Sequence, residues 1–193
     1  MKKKMTPIIS EGDLQRSAVA IVLTEENDII LEVRVANLPH QPGDICLPGG
    51  GLEAGETPED AVIREVREEL LVEKVDILSP VSIFVSGQQE IHVFLCQVQG
   101  YDGSFQSIEV KEILKVPLSF FRETKPEIHE IGWKSDLGEN FPYDRIYGGR
   151  GYKWRERKSQ VRFYHYGGYV IWGITARILE DFAGREEQAE WKT

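Results

Sequence analysis

The segment 47–73 constrains this chain more than any other stretch. A glycine-rich run, Leu47-Pro48-Gly49-Gly50-Gly51-Leu52-Glu53-Ala54-Gly55-Glu56, leads straight into Thr57-Pro58-Glu59-Asp60. Thr57 can cap a helix, Pro58 suits its first turn, and Glu59 and Asp60 favour the positive end of its dipole. At 100° per residue, with Glu65 set to zero, Glu69 falls near 40° and Glu68 near 300°. Val62, Ile63, Val66 and Leu70 occupy the adjoining sector and must bury. Three carboxylates therefore share one edge of a helix beside its buried stripe. Like charges three and four residues apart oppose a helix by about 0.2–0.5 kcal/mol per pair. No Lys or Arg lies between them on that edge, although Arg64 can reach Glu68 from one side. A hard divalent cation resolves the conflict, and oxygen ligands of this kind suit Mg²⁺ or Mn²⁺ rather than zinc. Glycines in the loop let the backbone approach a ligand closely, and the Gly50 carbonyl can serve as a further donor.

Charge is unevenly distributed. The 193 residues carry 23 Lys and Arg against 32 Asp and Glu, a net of −9. Residues 50–73 hold eight acids and two bases, whereas 145–162 hold seven bases and one acid. A negative chain is a poor generic nucleic-acid binder, because phosphate contacts need a basic face. The segment 145–162 is still able to attract a small anion, with Arg150, Lys153 and Arg155 as candidates. The N-terminus lacks the apolar core of a secretory signal, and no stretch approaches the ~18–20 apolar residues of a membrane span. Two cysteines, Cys46 and Cys96, lie among apolar neighbours and read as reduced core thiols, pointing to a cytoplasmic location.

Residues 1–13 read as a polar lead-in and 14–193 as one domain. Ser17–Leu23 and Ile29–Val35 are β-rich runs about a polar turn, and 36–51 reads as loop for the most part. Val81–Val85 and Ile91–Val98 flank Gly87-Gln88-Gln89 as a hairpin. Glu109–Val116 reads as a strand, Pro117 as the first residue of a short helix, and Val161–Tyr166 as a strand. Tyr169–Phe182 is expected to be an apolar helix, followed by a fraying tail. Strands and helices mix without strict alternation, which predicts an α/β arrangement with helices packed on a mixed sheet.

Gly50, Glu56, Arg64-Glu65-Val66, Glu68-Glu69-Leu70 and Val72 together resemble the Nudix hydrolase signature, with Leu71 standing where that family usually has Gly. The resemblance implies an α/β/α sandwich with a loop–helix–loop motif, and cleavage of a nucleoside diphosphate linked to another moiety. It implies that Mg²⁺ or Mn²⁺ binds chiefly Glu68 and Glu69, with Glu65 assisting. Glu56 and Arg64 are then motif-structural. A further carboxylate from elsewhere commonly acts as base or extra ligand in the family; Glu109 is favoured here, with Glu112 second.

Arg34, Gly43 and Pro48-Gly49-Gly50 also resemble the extra signature of coenzyme A pyrophosphatases, while Val35, Pro39 and Leu47 depart from it. Ile171–Leu179 looks like the C-terminal helix of the same subfamily. These likenesses imply hydrolysis of CoA or its derivatives to 3′,5′-ADP and (acyl) 4′-phosphopantetheine, with Arg34 and the basic segment meeting phosphates. The expected partner is a small CoA-like nucleotide, with no nucleic acid and no membrane; a homodimer is left open. Two rival readings stand beside this one. The first is a Nudix hydrolase of another substrate such as ADP-ribose. The second is a non-catalytic Nudix-like binding or regulatory module, against which the intact Glu65, Glu68 and Glu69 argue.

Overall fold

A computed structural model describes residues 14–135 and 137–185; the lead-in 1–13 and the tail 186–193 lie outside the described residues. Strands β1 (Gln15–Leu23) and β2 (Asp28–Arg34) form a hairpin, but they pair only at Val22–Ile30 and Leu23–Ile29 before parting. Two short strands occupy the fork. β3 (Ile45–Cys46) pairs with β2, and β4 (Gly49–Gly51) pairs with β1. Residues 36–51 are otherwise loop, as expected for most of the stretch; the parted edges of β1 and β2 give these two short pieces backbone partners that a Pro- and Gly-rich sequence does not announce.

β5 (Val75–Ser86) and β6 (Gln89–Val98) form the expected hairpin, longer than its apolar runs indicate. β6 runs parallel to β1, from Gln15 opposite Gln89 to Leu23 opposite Gln97, and every other pairing in the sheet is antiparallel. β7 (Val110–Pro117) closes on β2, giving a mixed sheet of seven strands.

The sheet separates two cores by the period-two alternation of its strands. On one face Ala18, Ala20, Val22, Ile30, Phe94 and Cys96 pack under α1 (Pro58–Leu70) with its buried Val62, Val66 and Leu70. On the other, Ile21, Ile29, Leu31, Val93 and Leu95 meet Phe121 of α2 (Leu118–Glu123) and Ile178, Leu179 and Phe182 of α3 (Gly173–Ala183). Helices on both faces of a mixed sheet give the expected α/β/α sandwich.

Three sequence expectations differ from the structure. Pro117 is the N-cap residue of α2, not its first helical residue. Tyr169–Trp172 is a strand, β10, that returns from β9 (Arg157–Tyr166) across Gly167-Gly168, so the helix begins only at Gly173. The apolar spacing runs through both elements and hides the break. β8 (Glu127–Trp133) was not foreseen. Every residue of it is exposed, so no alternation marks it; it is held by pairing with β9 alone. No helix among the described residues is long and apolar enough to cross a membrane.

Candidate active site

The capping predicted for α1 is present. Thr57 accepts a hydrogen bond from the Asp60 amide at 3.1 Å, and Asp60 accepts one from the Thr57 amide at 3.3 Å. The helix start is thereby fixed relative to the glycine loop. Arg64 locks the two together. Its Nε and Nη2 donate to the two oxygens of Glu56 at 2.8 and 3.0 Å, and Nη2 also reaches the Gly51 carbonyl at 3.1 Å. The fork of donors holds the Glu56 carboxyl down at about 2, well below its ordinary value. Glu56 and Arg64 thus tie the glycine loop to the helix.

The three helix carboxylates meet different surroundings. Glu69 is buried and its Oε2 accepts from the Gly49 amide at 2.8 Å. Burial and then the charge of Glu32 push its carboxyl up to about 9. Glu65 accepts from Arg64 Nη1 at 2.8 Å; burial raises its pKa, and Arg64 works against that rise. Glu68 is 62% exposed and sits 3.5 Å from Arg64. Gly50 lies against Glu65 so closely that a Cβ there would stand 2.4 Å from Oε1. Only glycine leaves that carboxylate its place.

Glu109 approaches from outside the helix. Gln106 accepts the Ile108 and Glu109 amides on its side-chain oxygen at 2.6 and 3.0 Å, while its own amide donates to the Glu69 carbonyl at 2.8 Å. The Glu109 carboxylate is half exposed and 3.9 Å from Arg34. Its charge is felt by Glu32, Glu65 and Glu69 alike. Glu112, the second choice, is occupied by the Tyr169 hydroxyl at 2.7 Å.

Sequence reasoning missed Glu32. It sits mid-strand in Asp-Ile-Ile-Leu-Glu-Val-Arg, 1% exposed, with Ile30 on the α1 face. Burial pushes its carboxyl up to about 8, against the pull of Arg34. The only signal in the sequence was an acid inside an apolar strand.

Arg34 lines a cleft of about 470 Å³ together with Gly49, Gly50 and Gly51, Asp44, Cys46, Trp172, Thr175 and Ile178. Trp172 stacks on Phe163 at 5.9 Å and donates from Nε1 to Asp44 at 3.2 Å, fixing the far wall. Arg150, Lys153 and Arg155 do not line it. They belong to the excursion between β8 and β9, where Arg150 lies over the Tyr143 ring at 4.6 Å and Arg155 shares a separate groove with Trp133 and Lys158. The thiols are free, Cys96 buried and Cys46 half-buried beside Glu32, with burial pushing both up to about 12.

The donor set suits a hard divalent cation: Glu65, Glu68 and Glu69, the orphaned carboxylate of Glu32, and a glycine loop pressed against Glu65. Among the described residues no three acidic, His or Cys side chains already converge as a formed cation site. Two carboxylates are instead drawn to Arg64 and to the Gly49 amide.

Comparison with known proteins identifies the family. Residues 14–133 match the family described as NUDIX domain. The chain belongs to the Nudix family. This Nudix chain is 32% identical over 158 residues to Peroxisomal coenzyme A diphosphatase NUDT7 of Mus musculus, covering 78% of the chain and 60% of that protein. It is 28% identical over 182 residues to Nudix hydrolase 22, chloroplastic, of Arabidopsis thaliana, covering 86% and 53%. A shorter match, 38% over 86 residues, covers 40% of the chain and 50% of the ADP-ribose pyrophosphatase of Methanocaldococcus jannaschii. The chain spans 40–60% of the length of the curated relatives it matches. A NUDIX hydrolase from Nitrosomonas europaea superposes with a TM-score of 0.48 at 24% identity, over 57% of this chain and 61% of that one.

Proposed function

We propose that this chain hydrolyses the diphosphate of coenzyme A or its derivatives, giving 3′,5′-ADP and (acyl) 4′-phosphopantetheine, with Mg²⁺ or Mn²⁺ as cofactor. The observation that carries the reading is a cleft lined by Arg34 and the Gly49–Gly51 strand, whose glycines touch two carboxylates of α1, Gly49 hydrogen-bonding Glu69 and Gly50 lying against Glu65. The likeness to a coenzyme A diphosphatase over 78% of the chain supports the CoA assignment.

Glu65, Glu68 and Glu69 would hold the cation. Once bound, it offsets the charge of the diphosphate and lowers the pKa of a coordinated water. The remaining work falls to this chain. Arg34 lines the cleft through a mostly buried side chain, and its guanidinium can donate to phosphate oxygens there. Glu109 offers a half-exposed carboxylate that can take a proton from the attacking water. Arg64 keeps loop and helix in register through Glu56 and Gly51. The Trp172 and Ile178 wall, outside the segment 14–133, gives an apolar surface against which an organic moiety beyond the phosphates can lie.

A substrate panel with Mg²⁺ or Mn²⁺ and product identification tests this. CoA cleaved to 3′,5′-ADP is the expected result. Cleavage of ADP-ribose with CoA untouched, in line with the likeness to an ADP-ribose pyrophosphatase, would overturn the substrate assignment. Inactivity on every diphosphate would overturn hydrolysis itself. Glu69→Gln is expected to lower kcat by orders of magnitude while the fold persists.

A further inference from the structure

We infer that Glu32, on the sheet face that α1 covers, is a fourth carboxylate ligand of the cation site. The inference rests on reading Glu65, Glu68 and Glu69 as cation ligands and goes beyond it, since it adds a ligand from a different element.

The first ground is solvation. Glu32 is 1% exposed, and neither of its carboxylate oxygens has a hydrogen-bond partner among the described residues. Buried carboxylates persist only when paired, hydrogen-bonded or bound to metal. The nearby cation does not complete the account. Arg34 tempers the charge of Glu32, but its own buried Nε is equally without a partner. The Glu32 carboxyl and the Arg34 Nε, two residues apart on one strand, are both left unpartnered, and the Glu32 oxygens await a partner from outside the protein.

The second ground is direction. Leu31 and Val33 pack in the core under α2 and α3, whereas Ile30 packs under α1. Alternation puts Glu32 on the α1 face, opposite Cys46 and Ile113 in the neighbouring strands. The charges around it there are Arg34, Glu65, Glu69 and Glu109. Cys46 offers no competing bond to the carboxylate, because its thiol is directed at the Glu32 backbone carbonyl. A carboxylate buried among three others, with one arginine to set against them, is the complement of a small doubly charged cation.

The third ground is rigidity. Glu32 belongs to a strand paired on both sides, with β3 and with β7. A ligand from the sheet would fix the cation's depth between sheet and helix, which side chains on a single helix edge do not.

The test is Mn²⁺ titration of the metal-free protein by calorimetry or paramagnetic resonance, with thermal melts with and without Mn²⁺, on wild type, Glu32→Gln, Glu32→Asp and Glu69→Gln. Glu32→Gln should melt at or above wild type without metal. Its Mn²⁺ affinity should fall at least tenfold and its Mn²⁺-induced rise in Tm should shrink. Glu32→Asp keeps the charge on a shorter arm and should weaken Mn²⁺ by a smaller factor; it decides the matter if the Gln variant fails to fold. Wild-type Mn²⁺ affinity in both Glu32 variants, with Glu69→Gln impaired, overturns the inference while leaving the helix site standing. Unchanged affinity in Glu69→Gln as well overturns the cation site itself.

Discussion

Three consecutive glycines should respond differently to the same substitution. At Gly49 the backbone has φ of +141°, and an added Cβ would stand 2.3 Å from the Ala18 carbonyl oxygen and 2.6 Å from the Val19 Cα. Both atoms are backbone of β1, which is paired to β6 along its whole length and cannot yield. The disfavoured backbone costs about 1–3 kcal/mol. Overpacking against fixed atoms costs about 1–3 kcal/mol more. Gly49→Ala should therefore lose about 2–6 kcal/mol of a total stability on the order of 5–15 kcal/mol. For a chain of 193 residues that is a fall in Tm on the order of 5–20 °C. Gly50→Ala meets the end of the Glu65 side chain, which can swing aside, so its Tm should move little while cation affinity and kcat fall. Gly51→Ala meets nothing within 4 Å and should stay within about 0.5 kcal/mol of wild type. Differential scanning calorimetry of the three variants, with Mn²⁺ titration of each that folds, reads the pattern. Equal melting of Gly49→Ala and Gly51→Ala would refute the close approach of β4 to β1.

The protons held by Glu32 and Glu69, whose carboxyls lie near 8 and 9, are bound more tightly in the native than in the unfolded chain. Stability of the metal-free protein should accordingly fall as pH rises through the window from about 5 to 9, and the gain from added Mg²⁺ should grow over the same window; melts across pH with chelator or Mg²⁺ check both slopes, and a Tm rising with pH in chelator would contradict them. Arg64→Lys loses the two-oxygen grip on Glu56 and should lower the midpoint of urea unfolding, with kcat/KM falling as the loop loosens. Arg34→Ala should raise KM more than Arg150→Ala, Lys153→Ala or Arg155→Ala, because only Arg34 lines the cleft; steady-state kinetics rank them, and the reverse order would return the basic excursion to the substrate.

The loop–helix segment was legible because its physics is local. Capping, the buried stripe and the charge edge all follow from residues within one helix, and α1 starts at Pro58 behind the Thr57 cap as read, running on to Leu70. Leu71, the departure from the family pattern, proves to be the left-handed C-cap at φ of +51°, where glycine rests without a Cβ penalty. Glu32 was illegible because its meaning lies in which face of the sheet it takes and in what α1 brings opposite it. The placement of Arg150, Lys153 and Arg155 was illegible for the converse reason. Charge counts record sign, not which residues line the cleft, and these three are outside its lining. Pairing energy rather than burial makes β8, so its residues show no alternation.

The contact from the Gln106 amide to the Glu69 carbonyl has a mechanical meaning. The turn that presents Glu109 hangs from the last turn of the helix that presents Glu69. The Glu109 carbonyl also accepts from the Val35 amide at 2.9 Å, so the same turn is moored to the sheet. Gln106 is therefore a strut between helix and sheet, and changes that cut it out should loosen the spacing of the two carboxylates.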